Sequence, residues 1–177
     1  LTVHILWINF ITETLPALAL STDHPAADVM SRKPRDPKDS ILKGIAPFLL
    51  IATLCSFTVG LSIFLFNLDN GNLALTRTMV LTAVVACEMF IVLSARSKRS
   101  ILHFNPFNNK LILGAILATF SLHLIAVYSP LSKLLGLVPM GFFQIAGVIG
   151  LSSLVFVALE TMKAVREYMV YKGIMSM

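Results

Sequence analysis

Five stretches of this chain are apolar for long enough to cross a bilayer, and that feature limits the fold more than any other. They are Leu1–Leu20, about Ile45–Phe66, Thr78–Ala95, Leu111–Tyr128 and Phe142–Met162. An α-helix rises ~1.5 Å per residue, so ~20 residues cover the ~30 Å hydrocarbon layer. None of the runs alternates with period two, which excludes a membrane β-barrel. The chain is 56% hydrophobic and 13% charged, whereas soluble domains carry about 25% charged residues. The expectation is an all-α integral membrane protein: one domain over residues 1–177, a helical bundle of five transmembrane helices, with a polar loop at 21–44.

Charge placement orients the bundle. All but two of the 14 basic residues fall in alternate polar segments. Arg32, Lys33, Arg35, Lys38 and Lys43 follow the first run; Arg96, Lys98, Arg99 and Lys110 follow the third; Lys163, Arg166 and Lys172 follow the fifth. The exceptions are Arg77 and Lys133. This is the positive-inside pattern and not the footprint of nucleic-acid binding, so no nucleic-acid partner is expected. It puts loop 21–44 and the C-terminus in the cytoplasm and sends the first span from outside to inside. Pro25, Pro34 and Pro37 argue for extended pieces and turns in that loop, and Asp69-Asn70-Gly71 for a tight external turn. Gly60, Gly114, Gly147 and Gly150 suit close helix contacts in lipid. Cys55 and Cys87 read as buried free thiols. The chain has no initiator Met and begins apolar, so we expect a piece of a longer protein.

One stretch breaks the apolar pattern from within. Trp7-Ile8-Asn9-Phe10-Ile11-Thr12-Glu13-Thr14-Leu15-Pro16 holds an amide, a hydroxyl and a carboxylate, followed by a proline. On an ideal helix Asn9, Thr12 and Glu13, at i, i+3 and i+4, share a face. Pro16 has no N–H for the carbonyl of Thr12, so the helix is expected to loosen just past Glu13. Irregular backbone at membrane depth is tolerated where it is buried in protein or lines a cavity, and a broken helix beside a carboxylate is a common ion-site layout in transporters.

Three acidic residues lie inside the apolar runs: Glu13, Glu88 and Glu160. A carboxylate at the bilayer centre costs at least ~2.5 kcal/mol, so each is a functional candidate. Glu13 and Glu88 both fall near mid-depth, roughly 18 and 15 Å into their runs on a ~1.5 Å rise, which suggests one shared cation site. The competing role for Asn9, Thr12 and Glu13 is a hydrogen-bonding helix face, and for Glu88 a structural acid bonded to a neighbouring helix. Glu160, three residues before Lys163, reads as an interfacial pair. The oxygen ligands suit a hard cation, but Ca²⁺ takes about 6–8 of them, more than Asn9, Thr12, Glu13, Glu88 and one freed carbonyl supply. His123 reads as an interhelical hydrogen bond, His4 as a core or pore residue, and His24 and His103 as solvated. There is no phosphate-cradling loop and no nucleophile with a base, so the chain should not hydrolyse ATP by itself. A structural or assembly module, a passive channel and a proton-coupled carrier stand beside the transport reading.

The order of these features resembles the C-terminal transport region of P-type cation pumps, closest to their calcium-transporting branch. Leu6-Trp7-Ile8-Asn9 with Thr12-Glu13 and Leu15-Pro16 looks like that family's sixth membrane helix. Asp28-Val29-Met30-Ser31-Arg32-Lys33-Pro34-Arg35-Asp36-Pro37-Lys38 looks like the loop that follows it. Glu88-Met89 matches the eighth helix, and Ser121-Leu122-His123 with Tyr128-Ser129-Pro130-Leu131 the end of the ninth. The resemblance implies cation ligands at Asn9, Thr12, Glu13 and Glu88, with Ca²⁺ as the expected cargo. The family's usual residue at the Glu13 position is Asp; the extra methylene keeps the charge and moves the oxygens. The resemblance also implies partners: membrane lipid, and an N-terminal half carrying the remaining membrane helices and the cytoplasmic domains that use ATP and Mg²⁺.

Overall fold

The polar breaks in the sequence become helix ends. A computed structural model describes residues 2–22, 30, 40, 42, 44–68, 71–97, 100, 101 and 109–172. Pro25, Pro34 and Pro37, most of the basic loop after the first span, His24, His103, and Asp69 and Asn70 of the external turn lie outside the described residues. Among those described, the order is α1 (Thr2–Trp7), a π-helical turn (Ile8–Thr12), α2 (Thr14–Ser21), α3 (Ala46–Phe66), α4 (Leu73–Ala95), α5 (Lys110–Tyr128), α6 (Leu131–Leu135) and α7 (Phe142–Tyr171), with no strand. α1, the π-turn and α2 form one continuous span. With α3, α4, α5 and α7 they make five helices long and apolar enough to cross a membrane. The protein is a multi-pass, all-α membrane bundle.

Two helix ends differ from the sequence expectation. The third span begins at Leu73 and not at Thr78. Asn72 caps it, its side-chain oxygen accepting from Leu75 N at 3.0 Å, and this satisfies an N–H that the first turn leaves open. Arg77 therefore sits on the helix, exposed. The fifth span does not stop at Met162 but runs to Tyr171, 30 residues in all. At ~1.5 Å per residue that is about 45 Å, longer than the ~30 Å hydrocarbon layer is thick. Asn109 caps α5 in the same way, accepting from Leu111 N at 2.9 Å.

α4 is the centre of the bundle. Of its membrane window 56% is buried, against 28% or less for the other spans. Ala52, Val59 and Ile63 of α3 pack on Met79, Ala83 and Cys87 of α4 and on Val148, Val155 and Leu159 of α7. Leu81 of α4 joins Ala126 and Val127 of α5, with Trp7 and Ile8 against them. Cys55 and Cys87 are free thiols. The close contacts expected at glycine are not found: a Cβ at Gly114, Gly147 or Gly150 would meet nothing within 4 Å, and at Gly60 only Val80 at an ordinary 4.0 Å. These helices meet through larger side chains.

Hydrogen bonds fix both ends of α4. At one end Val138 N donates to Thr78 Oγ1 at 3.0 Å, and the segment that carries Val138 is itself tied to α5 by the Tyr128 hydroxyl, which donates to the Met140 carbonyl. At the other, Lys163 is turned inward and only 5% exposed. It donates to the carbonyl of Ser94 and to Glu160 Oε1 at 2.8 Å. Ser94 Oγ donates to the same carboxylate at 2.7 Å and Ile101 N to its other oxygen at 2.8 Å. The expected Glu160–Lys163 pair is present, but it is a buried α4–α7 tie and not a solvated edge contact. Removing one partner of a buried pair costs about 3–5 kcal/mol, because the other charge is left uncompensated. Lys163→Met should therefore lower stability by about that amount in detergent unfolding, and adding Glu160→Gln should recover most of it. An unchanged Lys163→Met transition would show that the tie carries no stability.

Candidate cation site

The first span is broken where its polar residues cluster, but one turn earlier than expected. Glu13 N donates to Ile8 O, five residues back, at 3.2 Å. Thr14 Oγ1 donates to the Asn9 carbonyl at 3.3 Å. The ordinary pattern resumes with Ala17 N to Glu13 O at 3.0 Å. Because α2 restarts at Thr14, Pro16 falls in its first turn, where a missing N–H removes no helical bond. The widened turn ahead of it takes up the misfit, a common form of π-bulge at functional positions.

A π-turn advances less per residue than an α-turn, so it splits the face that Asn9, Thr12 and Glu13 would share on a regular helix. Asn9 and Glu13 are exposed, while Thr12 is fully buried. Thr12 Oγ1 reaches two acceptors, the Ile8 carbonyl at 2.7 Å and Glu88 Oε2 at 2.8 Å. A hydroxyl has one proton to donate, so the two oxygens share it. One side chain thus ties the irregular turn to the carboxylate on α4. Glu88 is half-buried, four residues from the middle of α4, about 6 Å along the helix. Thr12 and Glu88 are therefore brought into contact, whereas Glu13, expected to share a site with Glu88, is exposed and makes no hydrogen bond to it. The side chains of Asn9 and Glu13 have no hydrogen-bond partner among the described residues. No group of three His, Cys, Asp or Glu side chains gathers as a metal site among the described residues.

A second polar line runs beside the first. Thr82 Oγ1 gives its proton to the Thr78 carbonyl at 2.9 Å. His123 Nε2 lies 2.9 Å from the same Oγ1, a hydrogen bond that joins α5 to α4. His123 Nδ1 is buried without a partner among the described residues, as are Trp7 Nε1 and Thr119 Oγ1. The interhelical role expected of His123 is the one observed. His4 Nε2 donates to the Leu135 carbonyl at 2.5 Å, which ties α1 to the end of α6. Sequence reasoning passes over Thr78 and Thr82 as polar positions. Their signal is nonetheless there: two hydroxyls four residues apart in an apolar run, on the same helix as Glu88.

Five membrane-length helices, with a hydroxyl on one span bonded to a carboxylate on another beside a π-turn, define a polytopic helical membrane protein. Similarity to known proteins gives the family. The profile described as "Cation transporting ATPase, C-terminus" matches residues 1–165, and the chain belongs to that family. It is 35% identical over 136 residues to the calcium-transporting ATPase of Bacillus subtilis, a match that takes in 72% of this chain and 15% of that protein. It is 31% identical over 167 residues to calcium-transporting ATPase type 2C member 1 of Pongo abelii, covering 92% of this chain and 18% of that one. A probable calcium-transporting ATPase of Trypanosoma brucei brucei is 30% identical over 167 residues, 78% of this chain and 16% of that protein. The chain thus spans less than a fifth of the length of these relatives.

The Thr12–Glu88 contact can be measured in a double-mutant cycle. Thr12→Val and Glu88→Gln, alone and together in the intact protein, should show a coupling of at least about 0.5 kcal/mol in unfolding free energy, as groups in direct contact do. Strict additivity would mean that the two side chains do not meet.

Proposed function

We propose that residues 1–177 are the C-terminal transmembrane transport domain of an ATP-driven cation pump, and that its cargo is Ca²⁺. The observation that carries this reading is the Thr12–Glu88 hydrogen bond beside the π-turn. It assembles oxygens from two spans next to an irregular turn of backbone, a layout suited to a dehydrated cation. The relatives named above are calcium-transporting ATPases, and they support the choice of ion.

The proposed ligands are Asn9, Thr12, Glu13 and Glu88. Thr12 and Glu88 form the inner pair. Asn9 and Glu13 are exposed on a face of the first span that the other described helices leave uncovered. An amide and a carboxylate facing hydrocarbon at mid-depth would cost several kcal/mol, so that face needs polar cover. The N-terminal half of the same pump is the proposed source of that cover and of the remaining ligands. ATP and Mg²⁺ would act in its cytoplasmic domains, away from the membrane bundle. Membrane lipid surrounds the rest. The alternating basic segments put the C-terminus in the cytoplasm.

Removing a charged ligand takes away a contact worth about 1.5–3 kcal/mol, or about 10- to 100-fold in affinity. In the intact pump Glu13→Gln should therefore raise the Ca²⁺ concentration for half-maximal ATPase stimulation about 10- to 100-fold, with other divalent ions screened in parallel. Wild-type Ca²⁺ stimulation in Glu13→Gln would contradict the proposed ligand set.

A further inference from the structure

α3 and α7 enclose a groove of about 640 Å³ at the basic end of the bundle. Pro47 and Ile51 line it from α3, and Ala158, Met162, Val165 and Arg166 from α7. It continues along α7 to Met169, so from Ala158 it follows the helix for about 17 Å. Nearly all of its wall is hydrocarbon or thioether. Arg166 is the one charged residue in that wall among the described residues.

The three basic residues of α7 and its C-cap behave differently. Lys163 is buried and held by Glu160 and the Ser94 carbonyl. Lys172 stands over the Tyr168 ring, 4.8 Å from its centre. Arg166 is half-buried and has no hydrogen bond or ion pair among the described residues. A guanidinium held at the edge of hydrocarbon calls for an anion, and its planar fork matches two phosphate oxygens. The groove beneath it offers the complement of an alkyl chain. Basic pockets between transmembrane helices at this depth are suited to anionic lipid headgroups.

We propose that this groove is a binding site for one anionic glycerophospholipid. The phosphate sits on Arg166, and an acyl chain lies along Met162, Ala158 and Ile51. A net negative headgroup is preferred to a zwitterionic one, because the amine of the latter offsets the phosphate charge that Arg166 meets. A protein helix in the same groove would cover Arg166 with apolar surface unless it brought its own carboxylate. The proposal rests on the membrane-spanning fold and not on the pump reading, so either can fail without the other.

The test uses the intact protein in phosphatidylcholine nanodiscs containing a few per cent of phosphatidylglycerol with a photoreactive acyl chain. Cross-links should fall on Ile51 and on the Ala158–Met162 segment. The yield there should drop about fivefold when the same chain is carried by phosphatidylcholine, or when Arg166→Gln is combined with phosphatidylglycerol. Arg166→Lys should restore part of it. Arg77→Gln, at the other end of the bundle, should leave it unchanged. Labelling that ignores both headgroup and Arg166 would reduce the groove to ordinary lipid contact and overturn the proposal. Absence of labelling in the groove, with labelling elsewhere on α7, would show that protein covers it and would overturn the proposal as well.

Discussion

Hydrocarbon gives a carboxylate nothing to bond to, and the arrangement of this bundle follows from how Glu88 is accommodated. Its partner is the hydroxyl of Thr12, delivered from another span by a helix that departs from regular geometry at that point. A straight α-helix through the same residues would place Thr12 on the side of Asn9 and Glu13. The π-turn rotates it inward and leaves the other two outside. One irregular turn therefore decides which oxygens face α4 and which face away from it.

The two sides of this contact are held unequally. α4 is buried along most of its length, tied to the Val138 backbone through Thr78 and to α7 through Lys163, Glu160 and Ser94. The first span is mostly uncovered. Among the described residues its polar attachments are Thr12 to Glu88 and His4 to the Leu135 carbonyl, with Trp7 and Ile8 packed on Leu81 and the end of α5. A firmly placed carboxylate thus faces a hydroxyl on a more lightly held helix. On the proposed reading, that asymmetry would let the ligands both gather around an ion and release it, since a gathering that cannot be undone would bind without transporting.

The number and type of the spans were legible because a bilayer imposes a simple length rule, and the five apolar runs obey it. Their ends were less so. Arg77 looked like loop, yet a cap at Asn72 starts α4 before it; Lys163 looked like the end of a span, yet it turns into the bundle and α7 continues. The deciding partner is a side-chain cap beside the helix start in one case and a carbonyl 69 residues away in the other. Pro16 announced a break on its N-terminal side but not that it would come a turn earlier, as a π-turn ending at Thr12. The Gly147–Gly150 spacing suggested close contact where the structure has open space, because the spacing is the same whichever way the face turns. For the site, depth and chemistry pointed to Glu88 and to the polar turn of the first span, but they paired Glu88 with Glu13, whereas its hydrogen-bond partner is Thr12. The outward position of Asn9 and Glu13 was not, since it depends on the π-turn.

The most direct measurement is equilibrium Ca²⁺ binding to the intact protein without ATP, using radiolabelled calcium, for wild type, Thr12→Ala and Glu88→Gln. If the hydroxyl and the carboxylate form the inner part of one cation site, each substitution should abolish or strongly weaken binding of the same ion, with the helical fold retained by circular dichroism. Wild-type stoichiometry and affinity in both variants would contradict it.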